Sequence, residues 1–130
     1  MKRHEELKMA QILVVDDSAT VRNEVSSFIK GHGMTVEVAV DGKDGLEKLK
    51  KDPSVKLIIS DVNMPNMDGL TMAEKVRSEL GNATVNIIML TTESDPRMKQ
   101  RGKAAGVKGW IVKPFKGDNV VGSIKKLVGA

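Results

Sequence analysis

Two hydrophobic patterns alternate along this chain: short apolar runs, and longer segments whose apolar residues recur at helical spacing. Short runs rich in Val and Ile are typical of strands, whereas apolar residues three and four positions apart are typical of helices. The short runs predict strands at residues 11–15, 35–40, 55–60, 86–90 and 109–112. The longer segments predict helices at residues 18–31, from 41 to just before Pro53, 70–80, 96–106 and 118–128.

Each predicted strand is followed by a predicted helix, so the chain repeats a βα unit five times. Such repeats favour a parallel sheet, and right-handed crossovers place helices on both of its faces. We therefore predict an α/β fold with a doubly wound, five-stranded parallel sheet of the flavodoxin-like type. Residues 9–130 are expected to form this single domain, after a charged segment at residues 1–8 and without an output domain.

Composition excludes several classes of protein. The chain has no cysteine, which rules out a disulfide scaffold and a thiolate metal site. No apolar run approaches the roughly 18 residues that span a bilayer, and the charged N-terminus lacks the apolar region of a signal peptide. We expect a cytoplasmic protein without membrane association.

Charge is divided unevenly along the chain. Residues 97–130 carry nine Lys and Arg but one acid, Asp118, while the preceding 96 residues hold 12 basic and 16 acidic side chains. This asymmetry indicates an acidic partner for the C-terminal quarter. Direct nucleic-acid binding is disfavoured, because no basic run is interleaved with aromatic residues.

Chemically distinctive side chains follow four of the five predicted strands: Asp16, Asp17, Asp61, Thr91 and Lys113. The carboxyl ends of parallel strands emerge at one edge of the sheet, where open α/β folds bind ligands. Three clustered carboxylates repel one another and require a counter-ion. Because the only imidazoles are His4 and His32, an oxygen-ligated Mg²⁺ is the metal that this set favours. Thr91 and Lys113 add a hydroxyl and a positive charge suited to a phosphate.

A structural interpretation exists for each of these residues taken singly. Asp17 or Ser18 can cap the first helix, Thr91 can cap the segment after the fourth strand, and Lys113 can be solvated. Their joint occurrence at four strand ends favours a functional acidic pocket.

Four motifs, VVDDS (14–18), SDVNMPNMDGL (60–70), MLTTES (89–94) and GWIVKPF (109–115), resemble the receiver domain of bacterial two-component response regulators. The resemblance covers roughly residues 9–129, and it is greatest to the stand-alone chemotaxis regulators of the CheY type. It implies a signalling switch that a sensor histidine kinase phosphorylates and that catalyses only its own phosphorylation and dephosphorylation.

The resemblance also implies a role for each site residue. Asp61 would be the phosphoacceptor, Lys113 would pair with the phosphoryl group, and the Thr91 hydroxyl would move towards it. Mg²⁺ would be held by Asp17, Asp61, the backbone carbonyl of Asn63, and Asp16 directly or through water. A cis peptide is expected between Lys113 and Pro114.

Partner binding is expected on the basic C-terminal face, at Trp110, Thr91, Lys99, Lys103 and Lys126. The family usually has Tyr or Phe where this chain has Trp110, which leaves open whether the larger ring switches position. The resemblance also implies that Asn63 and Glu93 tune how fast the phosphoryl group is lost to water. The resemblance implies a monomer whose target is a flagellar motor switch protein or another acidic protein.

Two other functions are compatible with the motifs. A phosphorelay intermediate would pass its phosphoryl group on to a histidine phosphotransfer protein. A Mg²⁺-dependent phosphatase with an aspartate nucleophile is less favoured, because such enzymes have D-x-D on the first strand and Asp16 and Asp17 are adjacent. A dinucleotide-binding module is excluded, because no G-x-G-x-x-G motif follows the first strand.

Overall fold

The computed structural model describes residues 10–92 and 94–129, in which five strands and five helices alternate. The strands are β1 (Ile12–Val15), β2 (Val36–Ala39), β3 (Leu57–Ser60), β4 (Asn86–Thr91) and β5 (Val107–Val112). The helices are α1 (Ala19–Gly31), α2 (Gly42–Lys51), α3 (Gly69–Ser78), α4 (Pro96–Ala104) and α5 (Gly117–Val128). None of these helices is long and apolar enough to cross a membrane.

The strands form one parallel sheet in the order β2-β1-β3-β4-β5. In its centre Val15 is level with Ser60, and Ser60 is level with Met89. The strand order reverses between β1 and β3, which places a crevice at the carboxyl ends of these two strands. The predicted doubly wound fold is confirmed.

Both faces of the sheet are covered by a hydrophobic core. Leu13, Ile58 and Met89 belong to the cluster that packs against α2 and α3, whereas Val14 and Ile59 belong to the cluster under α1 and α5. Because successive side chains of a strand point to opposite faces, β1 and β3 must be apolar at nearly every position. Double burial therefore explains the continuous apolar runs of the sequence.

Element ends differ by up to two residues from those that the sequence pattern predicts; β3, for example, begins at Leu57 instead of residue 55. Helix α1 ends at Gly31 as predicted, but the residue in the left-handed region is Gly33, with φ of 80°. Strand β5 begins two residues before Gly109, because Val107 pairs with Ile87 and a bulge leaves Lys108 as the extra residue. Lys108 interrupts the apolar run, which is why the sequence pattern missed the start of β5.

Gly102, which weakens the sequence pattern of α4, is buried against Trp110. A Cβ at residue 102 would lie 3.2 Å from Cζ3 of Trp110 and 3.4 Å from Cδ2 of Leu70. We expect Gly102→Ala to push the half-buried Trp110 ring outward and to shift its fluorescence emission to longer wavelength. The higher helix propensity of alanine should raise the free energy of unfolding by about 1 kcal/mol, and displacement of the ring would cancel part of that gain.

Gly122→Ala in α5 is the matched control, because a Cβ at that position meets no atom within 4 Å. It should raise the free energy of unfolding by about 1 kcal/mol and leave the emission of Trp110 unchanged. Identical emission spectra for both variants would contradict the packing of Trp110 on Gly102.

Candidate functional site

Three carboxylates meet at the crevice between β1 and β3. Asp16 and Asp17 directly follow β1, Asp61 directly follows β3, and one oxygen from each lies within 4.8 Å of the others. Asp16 and Asp61 are only 2% and 8% exposed, whereas Asp17 is open to solvent. The parallel pairing of β1 with β3 thus brings together the acids that the sequence pointed to.

Lys113 reaches this cluster from the end of β5. Its Nζ lies 3.0 Å from Oδ2 of Asp16 and 3.1 Å from Oδ2 of Asp61. Burial by itself lowers the pKa of Lys113, but its hydrogen bonds to the two carboxylates outweigh burial and raise the pKa above its ordinary value. The side chain is therefore an ammonium shared by two acids. The peptide bond between Lys113 and Pro114 is cis.

Asp16 is held by several groups at once. Burial raises the pKa of its carboxyl group, while hydrogen bonds from the Ser18 amide and from Lys113 oppose that rise. The guanidinium of Arg22 donates to the backbone carbonyl of Asp16 at 2.6 Å. Sequence reasoning missed Arg22, because a lone Arg in the first turns of a helix carries no recognisable signal.

Helix caps are provided by other residues than the clustered acids. Ser18 caps α1 by accepting from the amide of Val21, and Asp95 caps α4 by accepting from the amide of Arg97. Asp61 instead accepts from the amide of Val62 at 2.7 Å. Of the two candidates for the cap of α1, Asp17 and Ser18, the structure confirms Ser18. The cap of α4 is Asp95 and not Thr91.

Thr91 and the loop after Asp61 complete the edge of the site. Thr91 ends β4, is fully buried, and accepts at its carbonyl from the amide of Lys113. Asn63 is exposed, one residue beyond Val62. A Cβ at Gly69 would overlap the carbonyl oxygen of Asp61, so close approach of α3 to the strand end requires glycine there.

The predicted partner residues separate into two places. Lys99, Lys103 and Trp110 line one open hollow of about 330 Å³, together with Lys108. Lys126 lies in a different groove, of about 370 Å³, beside Ile111 and Leu127. Lys99 and Lys103 thus share a hollow with Trp110, whereas Lys126 borders the adjacent groove, which has Lys108 and Gly109 in common with that hollow. Glu93 and residues 1–8 lie outside the described residues.

The donor set fits a hard divalent cation. Carboxylate oxygens of three acids lie within reach of one ion, and the exposed position of Asp17 leaves room for water ligands. His32, the one imidazole among the described residues, is exposed and bound to the carbonyl of Phe28 beside the end of α1. Softer metals therefore find no suitable ligands at this cluster.

A family model for the response regulator receiver domain matches residues 12–125. The chain belongs to this receiver family. A chemotaxis protein CheY homolog of Campylobacter jejuni is 40% identical over 107 residues, which cover 81% of this chain and 82% of that protein. The solved structure of chemotaxis protein CheY4 of Vibrio cholerae is 42% identical, with a TM-score of 0.83 over 92% of this chain and 98% of that one.

A second solved structure resembles this receiver domain at lower identity. It is the complex of CheX with CheY, BeF₃ and Mg²⁺ from Borrelia burgdorferi, whose matched chain is 25% identical with a TM-score of 0.81. The match covers 89% of this chain and 87% of that one. Receiver domains of the CheY type are regulatory and act in phosphorylation-dependent signalling, and this chain is one of them.

Proposed function

We propose that this receiver domain accepts a phosphoryl group on Asp61 from a sensor histidine kinase and then binds the flagellar motor switch. The observation that carries the proposal is the Lys113 ammonium, which lies between Asp16 and Asp61 beside the third carboxylate. This arrangement combines an anionic nucleophile with a fixed positive charge at a strand end.

In the proposed transfer, a carboxylate oxygen of Asp61 forms a bond to the phosphorus of a phosphohistidine. The P–N bond breaks, and its electron pair remains on the imidazole nitrogen of the kinase. Phosphoryl transfer passes through a loose, charge-rich transition state, so positioning and neutralisation of charge dominate its catalysis. Lys113 is already within 3.1 Å of Asp61 and supplies one of these charges.

Mg²⁺, when bound, supplies further neutralisation on the phosphoryl oxygens. Asp17, Asp61 and the backbone carbonyl of Asn63 would hold it, with Asp16 binding directly or through water. Exposure of Asp17 leaves the outer side of such a site open to the incoming donor.

The product is an acyl phosphate, which water hydrolyses to inorganic phosphate and the original carboxylate. The signal therefore resets without a second substrate. Asn63 and Glu93 are proposed to set the rate of this hydrolysis. Thr91 is proposed to carry the change onward, since phosphorylation adds about −1.5 to −2 charges beside the acids at the end of β1.

The target is proposed to contact the hollow lined by Lys99, Lys103 and Trp110. These lysines are exposed, and neither forms an ion pair with an acid among residues 10–92 and 94–129. A half-buried aromatic ring within a basic surface suits an acidic peptide.

Incubation with acetyl phosphate and Mg²⁺ tests the first step. We expect the intact mass to rise by one phosphoryl group, peptide mapping to place it on Asp61, and a chelator to prevent the reaction. Turnover of phosphorylated metabolites without a stable mass gain would instead indicate a phosphatase.

Capture of a motor switch component by the phosphorylated and unphosphorylated protein tests the second step. Phosphorylation should lower the dissociation constant at least tenfold, that is, by about 1.4 kcal/mol in binding free energy, and should raise the captured amount. Equal capture by both forms, combined with transfer of the phosphoryl group to a histidine phosphotransfer protein, would replace the motor target with a phosphorelay.

A further inference from the structure

Asp41, at the carboxyl end of β2, is a buried acid whose two oxygens have separate partners. It is 7% exposed and lies between β2 and α2. Its Oδ1 accepts from the amide of Asp44 at 2.8 Å and thereby caps α2. Its Oδ2 accepts from Nδ2 of Asn66 at 2.7 Å, across 25 residues of sequence. Only the bond from Asp44 is needed to cap α2, so the bond from Asn66 must serve another purpose.

Asn66 belongs to the loop that runs from Asp61 to α3. It has φ of 68°, in the left-handed region that Asn tolerates better than most residues. Beside it the carbonyl of Met67 accepts from the amide of Gly42 at 3.0 Å. Side chain and backbone together therefore fasten this loop to the first residues of α2.

Gly42 permits the close contact between the helix and the loop. A Cβ there would lie 2.7 Å from the carbonyl oxygen of Met67 and 3.0 Å from that of Asp68. We call the contacts of Asp41 and Gly42 with Asn66 and Met67 the loop latch. At its far end the loop is closed by the amide of Gly69, which donates to the carbonyl of Val62 at 2.8 Å.

The latch acts three residues beyond Asn63, whose carbonyl the proposed function assigns to Mg²⁺. Mg²⁺ demands near-octahedral geometry and tolerates misplaced ligands poorly. A carbonyl on an exposed loop is well placed only if the loop is held in one conformation. Groups that orient metal ligands without touching the metal typically change its affinity by about 10–100-fold.

We infer that Asp41, through Asn66, is a positioning residue that holds the loop after Asp61 in the conformation required for Mg²⁺ binding. This inference rests on the proposed function, because it takes the Asn63 carbonyl as a metal ligand. It adds a residue from the turn between β2 and α2 to a site built at the ends of β1, β3 and β5.

Two single substitutions separate the latch from the helix cap. Asn66→Gly removes the amide side chain and keeps a residue that adopts positive φ without strain. Asp41→Ser retains a good helix cap but is too short to reach Asn66. Calorimetric titration with MgCl₂ should give a dissociation constant about tenfold higher than wild type for each variant.

The exchange variant Asp41→Asn with Asn66→Asp is the test of rescue. Asn at position 41 can still cap α2 and donate to the carboxylate of Asp at position 66, with net charge unchanged. We expect its dissociation constant for Mg²⁺ to return to within about threefold of wild type. Urea unfolding of all variants records stability separately from metal affinity.

Wild-type Mg²⁺ affinity in both single variants, with lower stability alone, would overturn the inference and assign the latch a purely structural role. The proposed function would then still stand if wild type gains a phosphoryl group on Asp61. A wild type that binds no Mg²⁺ and takes no phosphoryl group would overturn both.

Discussion

Replacing Asp61 with asparagine is expected to abolish phosphorylation by acetyl phosphate. The amide keeps the shape of the side chain and can still accept from the amide of Val62, but it lacks the anionic oxygen that would attack phosphorus in the proposed transfer. Intact-mass measurement at saturating Mg²⁺ should show no phosphorylated species over the time in which wild type is fully labelled.

Asp95→Asn is the matched control for this loss. Asp95 is an exposed helix cap, and Asn caps helices about as well as Asp. This variant should be phosphorylated at the wild-type rate. A phosphorylated Asp61→Asn protein would mean that another residue is the acceptor, and peptide mapping would then identify it.

Replacing Lys113 with methionine is expected to change three properties in different directions. Loss of the positive charge of Lys113 should slow phosphorylation at saturating Mg²⁺ roughly 100-fold. The free energy of unfolding should fall by about 2 kcal/mol, less than for a fully buried pair because Lys113 is 19% exposed. Mg²⁺ should bind more tightly, since the ammonium no longer competes for Asp16 and Asp61.

The phosphorylation rate is measured by mass spectrometry of samples quenched at successive times. Urea unfolding measures the free energy of unfolding, and calorimetry measures the Mg²⁺ affinity. Lys116→Met, three residues further on, is the control, because Lys116 is exposed and its side chain makes no capping bond. It should match wild type in all three measurements. Weaker Mg²⁺ binding in Lys113→Met would contradict the assignment of Lys113 as a charge that competes with the metal.

The sequence was sufficient to predict the type and order of the elements. Strands β1 and β3 are buried on both faces, so their apolar runs are continuous and lie beside clearly amphipathic helices. The ends of these strands carried Asp16, Asp17 and Asp61, and parallel pairing alone places such ends together. For these features local pattern and topology agree, which is why prediction succeeded.

Other features depend on how individual side chains reach across the fold. The bulge at Lys108 follows from the pairing of β5 with β4 and leaves no mark in the periodicity. Gly102 weakens a helix pattern, yet it is the residue that lets Trp110 pack on α4. Neither the bulge nor the contact of Gly102 with Trp110 can be predicted from one segment, because each depends on the neighbouring element.

By itself the sequence determined the fold, the family motifs and the chemistry gathered at the sheet edge. Only the tertiary structure decided that Lys113 is shared by Asp16 and Asp61, and that Asp41 holds Asn66. Hydrophobic periodicity reports burial within a single element. Hydrogen bonds and ion pairs between distant residues are sensitive to differences of a few tenths of an ångström in the distance between their atoms. Those distances are fixed only when the elements pack together.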